Sequence, residues 1–310
     1  MKLTKLSTLV LLATSFIACD KGSESSFFEN LSATTVLETI NSLSFNEDID
    51  EMVAESMELT DRSASSSRGS DAAADKGPKY FYGDKYGKCA SVVDDEENNI
   101  KTVTFSGECY GKRSQLRRGT IVITYSETRN EAGSFRQVEY NDFYMNDVKI
   151  EGTRRSEILT IDENGNRTTQ TTHSGGKMIY DDGTFSTKSS EITRFTSKED
   201  DVRVYSTLTG SSSGISTEGV SFSMEITSPI KFIYDCDIDG KIKIGKVPVE
   251  GIKTTTDGES IIITDFGDGN CDTLVEITKD GEIETLDLKD IKRGDRFKNI
   301  LKKKKKKKKS

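Results

Sequence analysis

Tryptophan is missing from these 310 residues, histidine occurs once and proline three times. The single imidazole constrains the chemistry, because Ser-His-Asp and Cys-His arrangements and His-rich zinc sites all depend on that ring. His173 itself lies in Thr171-Thr172-His173-Ser174-Gly175-Gly176, which reads as a strand end running into an exposed turn. No P-loop, dinucleotide fingerprint or nucleophile elbow occurs, and no Cys-x-x-Cys spacing points to redox exchange. An enzyme built on this chain would rest on carboxylates, Tyr, Lys or a metal held by oxygen ligands. The expectation leans away from catalysis.

Long apolar runs are missing too, apart from one near the start. Lys2 and Lys5 precede an apolar stretch from Leu9 to Ala18, which ends in Phe16-Ile17-Ala18-Cys19. A basic start, a short apolar core and small residues before a cut form a secretion signal, and the run is too short to span a bilayer as a mature helix. A cysteine directly after the cut is the mark of a bacterial lipoprotein. Cleavage before Cys19 would let its thiol carry diacylglycerol and its amino group a further acyl chain, enough for stable anchoring. Simple secretion and a buried helix are the other readings of this segment. Asp20 resembles an inner-membrane retention signal of enteric bacteria that other Gram-negative groups do not share; the localisation expected is the cell envelope, with the outer membrane favoured.

Residues 1–18 are thus read as a signal peptide and 19–29 as a lipidated tether. Apolar positions at spacings of three and four from Leu31 to Met57 predict one or two amphipathic helices over 30–60, with Ser44 and Glu47 as a capping box between them. Residues 61–78 are small, polar and aperiodic, as in a flexible linker. From 79 to 290 Thr, Ser, Ile, Val, Tyr and Phe dominate. Xaa-Gly and Asn-Asp turns (146–147, 164–165, 175–176, 182–183, 239–240, 257–258 and 280–281) divide this region into alternating segments. The predicted fold is mainly β: an antiparallel meander of hairpins forming a twisted sheet, sandwich or open barrel, with a short N-terminal helical segment.

Besides Cys19 there are four cysteines, an even number in a chain bound for an oxidising compartment. Three pairings exist; proximity favours Cys89 with Cys109 and Cys236 with Cys271 as structural disulfides. A weak internal repeat agrees: KTVTFSGEC (101–109) followed by GTIVITY (119–125) parallels SIIITDFGDGNC (260–271) followed by TLVEIT (273–278). The segments DFGDGNCDTLVEITKDGE (265–282), RRGTIVITY (117–125) and GSFRQVEYNDFYMNDVKIEGTR (133–154) resemble uncharacterised β-rich secreted lipoproteins of the Bacteroidota type. That resemblance covers most of 100–288 and implies lipidation and an all-β fold; it implies no catalytic residue.

Three candidate sites remain. Asp235, Asp237 and Asp239, followed by Gly240, place carboxylates at alternate positions, as calcium loops do, but the twelfth position of an EF-hand loop is Lys246 and strands flank the segment. Calcium is the one cofactor the sequence suggests, and a Cys236–Cys271 bridge would bring Asp265, Asp268 and Asp272 close; a hairpin edge with solvated acids is the plainer reading. Aromatic residues form the second: Phe81, Tyr82 and Tyr86, and Tyr140, Phe143 and Tyr144, would either pack in the core or stack on sugars or a protein partner. The third is the terminal run Lys302, Lys303, Lys304, Lys305, Lys306, Lys307, Lys308 and Lys309. Residues 291–310 carry net +11, leaving −19 elsewhere, so the tail would bind anionic head groups or other polyanions; a tail with no dedicated partner is the alternative. The expected role is a lipid-anchored, non-catalytic binding or structural module. Its partners would be the membrane through the lipid and a polysaccharide or envelope protein, with no specific nucleic acid. A carboxylate-based or calcium-dependent polysaccharide hydrolase and a polyanion-binding envelope protein are the alternatives.

Overall fold

The structure, a computed structural model, describes residues 49–50, 52–53, 57, 79–80, 89–110, 116–238 and 242–287. The short strand β1 (Lys79–Tyr80) precedes β2 (Ala90–Asp95), β3 (Ile100–Tyr110), β4 (Leu116–Tyr125), β5 (Phe135–Met145), β6 (Val148–Ile161) and β7 (Arg167–Ile179). Then follow β8 (Phe185–Glu199), β9 (Val202–Ile215), β10 (Ser221–Ile238), β11 (Ile242–Asp257), β12 (Ser260–Asp268), β13 (Leu274–Lys279) and β14 (Glu282–Asp287). Each strand pairs antiparallel with the next, giving one open 14-stranded sheet in sequence order. This is the expected meander. Its physical basis is the alternation of β-branched and polar residues, closed by turns such as Asn146-Asp147 and Asp280-Gly281, where both asparagine and aspartate take positive φ.

Two expected boundaries differ from the observed ones. Gly175-Gly176 is not a turn; it lies inside β7 and forms a bulge there, two residues opposite the single Gly152 of β6. A Cβ on Gly152 (φ +111°) would come within 2.8 Å of Gly175 O and Gly176 Cα, so the glycines here permit two backbones to approach across a register shift. The segments 221–226 and 230–234, expected as separate strands, form one strand, β10. Pro229 lacks a ladder donor, and the register shifts around Ser228 on both sides absorb it.

The helical residues Ile49, Met52, Val53 and Met57 pack with Val103, Phe105, Ile121, Ile123, Val138, Phe143 and Met145 in the largest apolar cluster. A second cluster joins Leu208, Ile230, Ile262, Phe266, Val275, Ile277 and Leu286, from β9 to β14. The disulfides join Cys89 to Cys109 and Cys236 to Cys271. The strand directions place them at opposite ends of the sheet. The first staples the hairpin β2–β3, and the second reaches over β11, from β10 to the β12–β13 connection. The two expected repeats therefore contain differently wired bridges. Among the described residues no helix is long and apolar enough to cross a membrane.

Candidate functional site

Residues directly opposite one another in an antiparallel ladder share a face, so one row of pairs identifies the buried side of the whole sheet. Asp94, Lys101, Ile123 and Val138 are opposite in turn from β2 to β5. The row continues through Arg154, His173, Ser190 and Ser212 from β6 to β9. Met224, Thr255 and Ile262 extend it from β10 to β12. Lys101, Ile123, Val138, Arg154, Ser212, Met224, Thr255 and Ile262 are all buried. This inner face is apolar toward both ends of the strand order. Between them, from β6 to β9, it carries cations and hydroxyls.

At its centre Arg154 (4 % exposed) and His173 form a directly opposed pair on β6 and β7. Arg154 Nη2 donates to Asp50 Oδ1 at 2.6 Å, tying the helical residues to this face. Arg154 Nε and His173 Nε2 are buried without a hydrogen-bond partner. On β8, Ser186, Lys188 and Ser190 point the same way, and Lys188 is opposite Gly176 on one side and Gly214 on the other; a Cβ on Gly176 would come within 2.5 Å of Lys188 O and one on Gly214 within 1.9 Å of Thr187 O, so both glycines serve close approach of the strands. Lys253 of β11 completes the group, 6 % exposed, with its ammonium 6.0 Å from the Phe266 ring centroid.

The electrostatics follow from crowding like charges in a dry place. Burial, then Arg154 and Lys188, push His173 down to about 3, so its ring is neutral at physiological pH. Burial lowers Lys188 to about 8, and burial followed by the charge on Lys188 lowers Lys253 to about 8. These shifts also show that the four groups sense one another in a chain from β6 to β11.

A second cationic strip runs along the same face toward the β6–β7 and β8–β9 turns. Burial and the neighbouring Arg203 and Arg194 lower Arg167. Tyr234 donates to Ser206 Oγ at 3.4 Å. Burial raises its hydroxyl, but the Ser206 bond with Lys246, Arg194 and Arg203 outweighs that and leaves it lowered. Arg167, Arg129 and Arg136 also line a small cavity of about 80 Å³ beside Met57, with Ser134, Ser156 and Thr169.

Sequence reasoning missed these groups. It placed His173 in an exposed turn, whereas the residue sits within β7 with one ring nitrogen buried. The other expected residues are scattered. Asp235 and Asp237 are exposed at the end of β10, and Asp239 lies outside the described residues; among those described, no three His, Cys, Asp or Glu side chains gather as a metal site. Phe143 and Tyr140 are core residues, with rings 5.7 Å apart, while Tyr144 faces outward under the Arg118 guanidinium at 5.0 Å. Cys19, the Ser44/Glu47 cap, Phe81, Tyr82, Tyr86 and Lys302 to Lys309 lie outside the described residues. No family model, curated protein or solved structure matches this chain.

Proposed function

We propose that this chain is a lipid-anchored cell-envelope protein whose sheet serves as a non-catalytic binding module. The observation that carries the binding half of this reading is the concentration of Arg154, His173, Lys188 and Lys253 on one face of a single sheet in a protein of net charge −8. Fixed cations held among hydroxyls suit the recognition of an anionic group, since ionised partners make the stronger hydrogen bonds. The anchor half rests on Lys2, Lys5, the apolar run to Ala18 and Cys19. A lipid at Cys19 would hold the module at the envelope, where anionic saccharides are its nearest ligands.

The test is intact-mass analysis of protein extracted from membranes, paired with retention of envelope glycans on the same preparation. The reading expects a diacylglyceryl and acyl mass on a chain starting at Cys19, loss of membrane association in Cys19→Ala, and glycan retention without release of new reducing ends. An unmodified N-terminus removes the anchor, and accumulation of new reducing ends replaces the binding module with a hydrolase.

A further inference from the structure

We propose that Arg129, Arg136 and Arg167 form a binding site for an oxyanion, a carboxylate or sulfate group, in the small cavity where the inner face meets the β4–β5 connection. The proposal rests on the binding-module reading and names the point on the sheet where an anionic ligand is held.

Register brings these groups together. Arg136, at the start of β5, is directly opposite Tyr125 on β4 and Ser156 on β6, so the three share the inner face. Two residues on from Ser156, Ile158 is opposite Thr169 of β7, and Arg167 lies two residues before Thr169 on the same side of its strand. Arg129 belongs to the β4–β5 connection and folds back over the Tyr125 ring, its guanidinium 5.4 Å from the centroid. That connection is held by its own hydrogen bonds: Ser126 Oγ accepts from Phe135 N at 2.9 Å and Ser134 Oγ from Glu131 N at 3.2 Å, so Arg129 is positioned before any ligand arrives. All three arginines line one space of about 80 Å³. A cavity of about 150 Å³ holds a benzene ring, so one of about half that volume takes a carboxylate or sulfate group and is too small for a sugar ring.

Three guanidiniums around so small a space select for an oxyanion. Each presents five N–H donors in a planar fork that matches the edge of a carboxylate or sulfate. Arg129 and Arg136 have further interactions of their own, and one partner does not exhaust five donors. None of the described residues lining the cavity is a carboxylate. Glu127 and Glu131 of the connection are exposed, and Glu157, between Ser156 and Ile158, points to the opposite face, where it pairs with Arg155. After burial, the groups that act most on Arg167 are Arg203 and Arg194; Asp50, already bound to Arg154, comes last. An anion in the cavity would offset that repulsion. Ser156 Oγ accepts from Thr171 Oγ1 at 3.3 Å, which leaves its own proton as a neutral donor beside the arginines.

Equilibrium dialysis of the full mature chain tests this, with sulfate, glucuronate and neutral glucose as probes. Saturable, mutually competitive binding of sulfate and glucuronate is expected, and none of glucose. Arg167→Gln should weaken it about tenfold. Arg167→Lys keeps the charge and loses the fork, and should weaken it several-fold. Arg118→Gln removes the same charge from the opposite face, where Arg118 pairs with Asp147, and should leave binding unchanged. Glucuronate binding tighter than sulfate identifies a sugar-borne carboxylate, and sulfate binding equally or more tightly identifies a free inorganic oxyanion; either supports the cavity. Absence of saturable binding for both anions overturns the site, as does binding that Arg167→Gln leaves unchanged or that Arg118→Gln weakens equally. Glucose binding as tightly as glucuronate overturns it too. Should the anions fail while the chain still retains envelope glycans, the site is wrong and the binding module stands.

Discussion

Lys253 shows how one side chain can be unfavourable to the fold and useful to a site. Its ammonium is buried near Phe266 and Lys188, and its value falls from 10.5 to about 8. Between about pH 8 and 10.5 the unfolded chain therefore binds more protons than the folded one, so stability rises with pH across that window; below it the full penalty applies. For this residue the penalty is on the order of 3 kcal/mol. Lys253→Met should accordingly raise the stability of the ligand-free protein at pH 7 by about 1–3 kcal/mol and flatten the rise toward pH 10. Urea unfolding at a series of pH values measures both; a slope unchanged by the substitution would mean that Lys253 titrates normally. His173 adds a second window. With its value lowered to about 3, stability is lost as pH falls from its ordinary 6.5 toward 3, because only the unfolded ring takes up the proton.

Tyr125 and Lys101 contrast with this pair. Lys101 Nζ lies 3.2 Å from Asp94 Oδ2, and Tyr125 donates to Asp94 Oδ1 at 2.9 Å. Burial and then that carboxylate raise the Tyr125 hydroxyl to about 12. The buried Lys101 on β3 thus has a carboxylate from the neighbouring strand beside it.

At the scale of elements, the sheet depends on its irregularities as much as on its ladders. Strands as long as β10, with 18 residues, keep one side buried only if each inserted residue is compensated. The shift between Glu225 and Ile230 against β9, and the shifts around Ser228 against β11, restore Ile230 and Phe232 to the face of Leu208. The Cys236–Cys271 bridge fixes the end of this strand to the β12–β13 connection, with Val247 and Val249 beneath it. Its 35-residue separation implies about 3–4 kcal/mol from loop closure. Replacing both cysteines with serine should reduce stability by that amount and accelerate amide exchange in β12 and β13 before β3 and β4. Uniform acceleration across the sheet would show that the staple acts globally.

Across the whole molecule the two large apolar clusters share no residue. They are separated by β7, which contributes no fully buried side chain, and by β8, whose buried residues are Ser186 and Thr196. Few apolar contacts thus couple one half of the sheet to the other. Phe143 is completely buried among Phe105 and Tyr140, so Phe143→Ala should cost about 3–5 kcal/mol. Native-state exchange should register that loss in β3 to β6 and leave β12 to β14 nearly unchanged; equal loss in both halves would mean a single cooperative unit. The polar middle of the sheet is the place where stability is given up, and it is also where the cations gather.

Local sequence pattern determined the class of this fold and the hairpin order of its strands, while a twisted sheet, a sandwich and an open barrel all remained compatible with it. Period-two alternation, Xaa-Gly and Asn-Asp turns and the nearest-neighbour cysteines act over a few residues, or between adjacent hairpins, so the meander and the pairs Cys89–Cys109 and Cys236–Cys271 could be read directly. The site could not. Arg154, His173, Lys188 and Lys253 belong to four strands of mixed Ser, Thr and Lys composition, and nothing local distinguishes them from solvated positions. Their common face results from cumulative register, including the β7 bulge at Gly175-Gly176 opposite Gly152 and the break around Pro229. One residue of slip anywhere between them would have turned some of those side chains outward. Which side chains meet is a sum over every pairing in the sheet, and only the tertiary structure performs that sum.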